Sequence, residues 1–214
     1  MDMDGVLIDS EPLWERAGKI GLLQHGIEIS HEQYYETIGM RTREWLEHWY
    51  RVFNIENPDV ARDEDLIVEA IIDLVRKEGL IMPGVREFLQ RAKDMGLKIG
   101  LATSSPLSLA DVVVNILDLD PFFDTVMSGA QLNLGKPHPQ VYIDCARQLN
   151  SDPVSCACVE DSFNGMIAAK AAKMKCLVVP APMHFERKEW GAADFVARSL
   201  TNVPEAFFGM FKSR

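Results

Sequence analysis

The sequence contains no hydrophobic run close to the ~20 residues that a membrane-crossing helix needs. Basic residues are also in short supply, with 22 Lys and Arg against 32 Asp and Glu and a formal net charge of −10. The first absence gives no ground for expecting a transmembrane segment. The second argues against an extended cationic surface, so neither nucleic acid nor an anionic membrane is an expected partner. Cysteine is sparse: Cys145, Cys156, Cys158 and Cys176 form no disulfide-like framework in a chain long enough to fold without one. Cys156 and Cys158 alternate inside "SCACVED" as on one face of a buried strand, and no partners stand at zinc-ligand spacing. Repeats, low-complexity tracts and long linkers are missing, and no signal-peptide pattern is present, so the expected location is the cytoplasm. An acidic chain that handles an anion must place its few cations locally, so each Lys or Arg near a motif matters.

What is present is a soluble-protein composition, 47% hydrophobic and 25% charged over 214 residues, enough for one large domain or two smaller ones. The first part of the chain is rich in helix patterns. "SEPLWERAGKIGLLQHG" has Ser10 as a candidate N-cap, Pro12 in the first turn, Gly26 at the end and apolar Leu13, Ala17, Ile20 and Leu23 at helical spacing. "RTREWLEHWYRVF" and "DEDLIVEAIIDLVRKEG" read the same way. From Met82 the rhythm changes to alternating strands and helices: "LKIGLA", "SLADVVVNIL", "DTVMS", "PQVYIDCARQL", "SCACVE", "SFNGMIAAKAAK", "KCLVVP". That alternation predicts an α/β fold, a Rossmann-like parallel sheet with helices on both faces. The expected organisation is an α/β core from residues 1–10 and 82–214, interrupted by a helical unit over 11–81.

Open parallel sheets bind ligands at the carboxyl ends of their strands. The residues expected there are Asp2 and Asp4 at the start, Thr103-Ser104-Ser105 after "LKIGLA", Lys136 in "GKPHP", and Glu160-Asp161-Ser162 after "CACV". Each fragment alone is a weak signal, since a lone DxD is usually a turn and Glu-Asp-Ser is usually a helix start. Four of them at successive strand ends, in order, is a strong one. Clustered carboxylates repel unless a cation neutralises them, and hard oxygen ligands suit Mg²⁺. A lysine and hydroxyls beside that metal would complete a pocket for a phosphoryl group.

"DMDGVLIDSEP", "LATSS", "GKPHPQVY" and "VEDSFNG" resemble, in order and spacing, the four motifs of the haloacid dehalogenase superfamily, and the helical insertion resembles its small helical cap. The resemblance covers essentially the whole chain. Within the superfamily it is nearest to sugar-phosphate phosphatases of the bacterial hexitol phosphatase and 2-deoxyglucose-6-phosphate phosphatase type. It implies that Asp2 is a nucleophile forming an aspartyl phosphate and that Asp4 is the general acid and base. It further implies Mg²⁺ held by Asp2, the Asp4 backbone carbonyl and Asp161, with Glu160 direct or through water. Thr103, the backbone of Ser104 and Ser105, and Lys136 would hold phosphoryl oxygens. Ser162 and Asn164 would order the metal loop or cap the following helix.

In that superfamily the opening motif ends a buried apolar strand of about five residues, whereas only Met1 precedes Asp2 here. The expectation is either residues upstream of Met1 or a shortened central strand. Thr103 also stands where near relatives often carry serine, which preserves the hydroxyl.

Substrate choice is expected to come from the cap, with Glu11 accepting sugar hydroxyls and Arg41 on a substrate-facing loop. Trp14, Trp45 and Trp49 read as cap core, and the five histidines share no spacing and receive no catalytic role. The expected function is a Mg²⁺-dependent phosphatase of small sugar or polyol phosphates, acting as a monomer. One rival is a β-phosphoglucomutase-like isomerase, for which Arg41 or Arg43 would anchor a second phosphate. The other is a non-catalytic sugar-phosphate-binding module. A dehalogenase is disfavoured because Asp4 is present.

Overall fold

The computed structural model describes residues 1–211. Four helices come first: α1 (Glu11–Leu23), α2 (His31–Glu36), α3 (Thr42–Val52) and α4 (Val60–Glu78). Their apolar faces close on one another. Leu13, Ala17 and Leu22 of α1, Leu46 and Trp49 of α3, and Ile67, Ile71 and Val75 of α4 are all buried. Close approach is built in at Gly21, where an added Cβ would fall 2.6 Å from the Ile67 side chain. α2 starts with a capping box, in which Ser30 Oγ accepts from Gln33 N and Gln33 Oε1 accepts from Ser30 N.

The remainder alternates as the sequence predicts: α5 (Val85–Asp94), β1 (Gly100–Thr103), α6 (Leu107–Ile116), β2 (Thr125–Ser128), α7 (Gln140–Gln148), β3 (Ala157–Glu160), α8 (Phe163–Ala171), β4 (Lys175–Val178), β5 (Phe195–Val196) and α9 (Glu205–Gly209). β1 pairs with β2, and β3 with β4 and β4 with β5, all parallel. Short 3₁₀ turns connect several of these elements.

Met1 and Asp2 join the two sheet fragments. The Met1 amino group donates to Gly100 O at 2.6 Å, Ala102 N donates to Met1 O at 2.8 Å, and Asp2 N donates to Val159 O at 2.9 Å. The order across the molecule is therefore β2, β1, the Met1–Asp2 segment, β3, β4, β5. The Met1–Asp2 segment thus occupies the central position. A cavity of about 310 Å³ lies beside it, lined by Met1, Gly100, Ala102, Cys145, Cys158 and Val159 among others.

Two linkers carry the chain between the helical group and the sheet, and they pair with each other. Asp9 N donates to Leu80 O at 2.8 Å, Met82 N donates to Leu7 O at 2.9 Å, and Ile8 forms an antiparallel bridge with Ile81. Two chains crossing side by side make a narrow connection between the two parts. Among the described residues, no helix is long and apolar enough to cross a membrane.

Candidate active site

The Met1–Asp2 segment and the carboxyl ends of β1 and β3 converge, and loops from each bring their polar side chains to one place. Asp2 is buried, held on one side by the sheet bonds of its backbone. Lys136, from the loop between β2 and α7, is 4% exposed and donates to Asp2 Oδ1 at 2.8 Å and to Glu160 Oε1 at 2.6 Å. Tyr142 of α7 also donates its hydroxyl to Glu160 Oε1, and its ring lies 5.0 Å below the Lys136 ammonium. The other oxygen of Glu160 accepts from Asp161 N, Ser162 N and Ser162 Oγ. A carboxylate at 0% exposure is tolerable only with such complete pairing. Its closeness to α8 demands glycine: a Cβ at Gly165 would sit 1.9 Å from the Glu160 carboxyl group. Gly5 is needed twice over, since its φ is +67° and a Cβ there would reach 2.1 Å from Asp161 Oδ2.

Asp2, Glu160 and Asp161 each offer an oxygen within 4.8 Å of the others. Lys136 is the cation inside this group, and it is shared between Asp2 and Glu160, so negative charge is left over. Titration behaviour follows. Burial, Glu160 and Asp4 push Asp2 up to about 7 despite Lys136. Burial and the neighbouring acids push Asp161 well above the usual carboxylate range. Glu160 stays low because the Lys136 contact and its hydrogen bonds outweigh its burial. Burial alone would lower Lys136, but Asp2 and Glu160 raise it, so its charge is secure. An all-oxygen donor set carrying uncompensated charge fits a hard divalent cation such as Mg²⁺.

Asp4 faces the same space but is held separately. Ser10 Oγ and Trp14 Nε1 donate to its Oδ1 at 2.6 and 2.7 Å, and Ser105 Oγ donates to its Oδ2 at 2.7 Å. Ser10 therefore does not cap α1 as the sequence suggested. Its backbone is already helical (φ −100°, ψ −14°) and its side chain makes no capping bond, the hydroxyl being committed to Asp4.

After β1, Thr103 is fully buried and its Oγ1 accepts from Ser105 N at 3.0 Å. Ser104 Oγ instead crosses to the helical group, donating to Gly39 O at 3.1 Å. Asn164 Nδ2 donates to Ile38 O at 3.2 Å, and the Arg41 guanidinium donates to Leu132 O and Gly129 O. The loop before α3 is thus fastened to the loops after β1 and β2 and to the first turn of α8. Between these surfaces lies a cavity of about 70 Å³, bounded by Asp2, Asp4, Ser104, Ser105 and Asp161 from below. Glu11, Trp14, Tyr34, Thr37, Met40 and Trp45 bound it from the helical side.

The structure brings Asp2, Asp4, Ser104, Ser105, Glu160, Asp161, Lys136 and Glu11 together. Thr103 lies directly beneath, facing the Ser105 backbone. Glu11 accepts from the Tyr34 hydroxyl at 3.2 Å, and burial together with Asp4 pushes its carboxyl up to about 8. Arg41 is placed differently from a residue that faces substrate: it ion-pairs with Glu44 and reaches the β2–α7 loop. Sequence reasoning missed Ser10, Trp14 and Tyr142. The first two had been absorbed into an ordinary helix start and cap core. Tyr142 stood inside the quoted motif "GKPHPQVY", which was the available signal.

The site is thus a group of acids gathered at the strand ends of a parallel sheet, under an inserted helical group. The family model for haloacid dehalogenase-like hydrolases matches residues 1–173, and the chain belongs to that family. It is 41% identical over 203 residues to hexitol phosphatase B of Escherichia coli (strain K12), covering 94% of this chain and 91% of that protein. It is 34% identical over 175 residues to a phosphorylated carbohydrates phosphatase of Thermotoga maritima, covering 80% and 79%. Among solved structures, CbbY from Rhodobacter sphaeroides in complex with phosphate aligns with a TM-score of 0.82 at 25% identity, over 93% and 92% of the two chains. A β-phosphoglucomutase from Clostridium difficile aligns at 0.87 and 23% identity over 99% and 95%, a likeness of fold.

Proposed function

We propose that this chain is a Mg²⁺-dependent phosphatase of small sugar or polyol phosphates that works through an aspartyl phosphate on Asp2. The observation that carries the reading is the pair of differently held acids in one cavity. Asp2 is pinned by the sheet and by Lys136, while Asp4 hangs on three neutral donors. A nucleophile needs a fixed position, and a proton carrier needs a carboxyl that can exchange its partner.

In the first half-reaction an Asp2 oxygen attacks phosphorus. The bond from phosphorus to the sugar oxygen breaks as protonated Asp4 gives that oxygen its proton. In the second, Asp4 takes a proton from water as the water oxygen attacks phosphorus. The bond to Asp2 then breaks, releasing inorganic phosphate and restoring the carboxylate. Lys136 and the backbone N–H groups after β1 stabilise the phosphoryl oxygens. Asp2, Asp161 and the Asp4 carbonyl would hold Mg²⁺, with Glu160 direct or through water. Bound there, the ion would offset the charge of nucleophile and phosphate.

The cavity of about 70 Å³ is far below the ~300–1,000 Å³ of typical ligand sites. Substrate entry therefore requires the helical group to swing away on the paired linkers. The mutase rival needs a cation for a second phosphate. Arg41 is committed to Glu44 and the β2–α7 loop, and Arg43 pairs with Glu64 at 2.7 Å, which favours transfer to water.

The test is phosphate release from a panel of hexitol, hexose and triose phosphates, with and without Mg²⁺. Mg²⁺-dependent release from the sugar or polyol esters is expected. Conversion between sugar-phosphate isomers without release, or turnover of none of them, would sink the reading.

A further inference from the structure

We infer that the carbon chain of the substrate lies in a second chamber, walled by the loop between β4 and β5, and that His184 and Arg187 of that loop are specificity-determining residues. The ligand class is an extended, neutral polyhydroxylated chain carrying a single phosphate. The inference deepens the phosphatase reading and rests on it.

With the helical group docked, the cavity of about 70 Å³ over Asp2 and Asp4 has no room for a whole sugar phosphate. A cavity of about 580 Å³ lies next to it, inside the ~300–1,000 Å³ range of ligand sites. Glu11, Tyr34, Ile38 and Asp161 border both, so the two adjoin along that line. The placement agrees with the chemistry. Attack from Asp2 expels the leaving oxygen on the far side of phosphorus, toward Asp4 in the proposed reaction. Glu11 comes next, with Asp4 as its strongest charged neighbour. A chain attached to the leaving oxygen passes Glu11 and enters the larger chamber.

One wall of this chamber joins the two parts of the molecule. The Tyr35 ring of α2 stacks on His184 with centroids 3.4 Å apart, and the Arg187 guanidinium lies 4.3 Å from the centre of the same ring. Buried Trp190 donates its Nε1 to His184 O at 2.7 Å and holds the loop to the sheet part. The polar groups of the wall are matched in charge. Arg187 pairs with Glu189 at 3.2 Å, and His31 with Glu15 at 3.0 Å. Burial, Arg187 and His31 hold His184 below the usual imidazole range, so at neutral pH one ring nitrogen donates and the other accepts. Donors beside acceptors suit hydroxyl groups, each of which is both. A second phosphate would instead meet Glu11, Glu15, Glu36 and Glu189, with Arg187 already committed to the last of these. A three-carbon chain would leave most of the volume to water.

Steady-state phosphate release is compared for a hexitol monophosphate, glycerol 3-phosphate and a hexitol bisphosphate. Wild type is expected to favour the hexitol monophosphate over both others in kcat/KM. His184→Ala and Arg187→Ala are each expected to lose roughly two- to tenfold in kcat/KM on that ester, the scale of one hydrogen bond. The loss on glycerol 3-phosphate should be smaller, so the ratio between the two esters falls. Ala181 borders the chamber, and Ala181→Trp takes up part of its volume without touching the loop's contacts to Tyr35. It should raise KM for the hexitol ester by more than for glycerol 3-phosphate. A loop that merely braced the docked helical group would, when altered, lower every ester by one factor. Such equal losses, an unchanged ratio in all three variants, or a wild-type preference for the bisphosphate would overturn the inference while wild-type phosphate release stands. Release from none of the esters would remove the underlying reading and this inference with it.

Discussion

Lys136 stands in a position where a single charge decides several pKa values. It bridges Asp2 and Glu160, and removing it would leave two buried carboxylates facing each other across a desolvated gap. Breaking a buried pair by deleting one partner costs about 3–5 kcal/mol. Lys136→Met is therefore expected to lower unfolding free energy by that order at pH 8 in chelated protein, measured by urea titration. The deficit should shrink toward pH 5, where Asp2 can take up a proton. A deficit independent of pH would mean that packing, and not charge, dominates at this position. Asp2 and Lys136 were legible in the sequence because each stands inside a short motif, "DMDG" and "GKPHP", whose order along the chain carries the family resemblance. Trp14 was not, because helical spacing places it among apolar neighbours and says nothing of where its N–H points. Ser10 has the residue type and place of a helix cap, and only the nearby Asp4 acceptor redirects it.

Among the elements, the alternation from α5 to β4 could be read directly, since buried parallel strands are short apolar runs bounded by helical periodicity. β5 has two residues and α2 six, too few for either period to register. Arg41 shows a different limit. Its position just before α3 was legible, but its direction depends on carbonyls of Gly129 and Leu132, about ninety residues away in sequence. Glu11 and Arg41 should accordingly behave differently when altered. Glu11→Gln changes a carboxyl group that borders the cavity beside Tyr34, and is expected to re-rank sugar phosphates in kcat/KM. Arg41→Ala loosens the fastening of the helical group and is expected to weaken turnover of every substrate by a similar factor, without re-ranking. The check is a matched substrate panel for both variants. A re-ranking by Arg41→Ala with none by Glu11→Gln would reverse these assignments.

At the scale of the whole molecule, the acidic cluster couples protons, cation and stability. Burial and neighbouring acids raise the carboxyl pKa of Asp2 to about 7 and of Glu11 to about 8, from 3.8 and 4.5. Raised acid pKa values mean that the folded state binds more protons than the unfolded chain. This contribution is fully present below about pH 4 and is lost as pH rises through about 7 to 8. Chelated protein should therefore lose melting temperature between pH 5 and pH 8. Mg²⁺ binds the ionised carboxylates in competition with protons, so its stabilising effect should be larger at pH 8 than at pH 5. Differential scanning calorimetry at the two pH values, with chelator and with Mg²⁺, measures both. Equal stabilisation at the two pH values would argue against the cluster as the cation site.

The central claim is that Asp2 accepts the phosphoryl group and Asp4 moves the protons, and acid-quench trapping with radiolabelled substrate tests it most directly. With an aryl phosphate, Asp4→Asn should form the intermediate and then stall. The amide cannot activate water, and general acid–base catalysis contributes about 10²–10⁴-fold. Label should accumulate on Asp4→Asn protein and map to the peptide containing Asp2, while Asp2→Asn protein should carry none. Label on Asp2→Asn protein, or no trapped phosphate on Asp4→Asn under single-turnover conditions, would contradict the account.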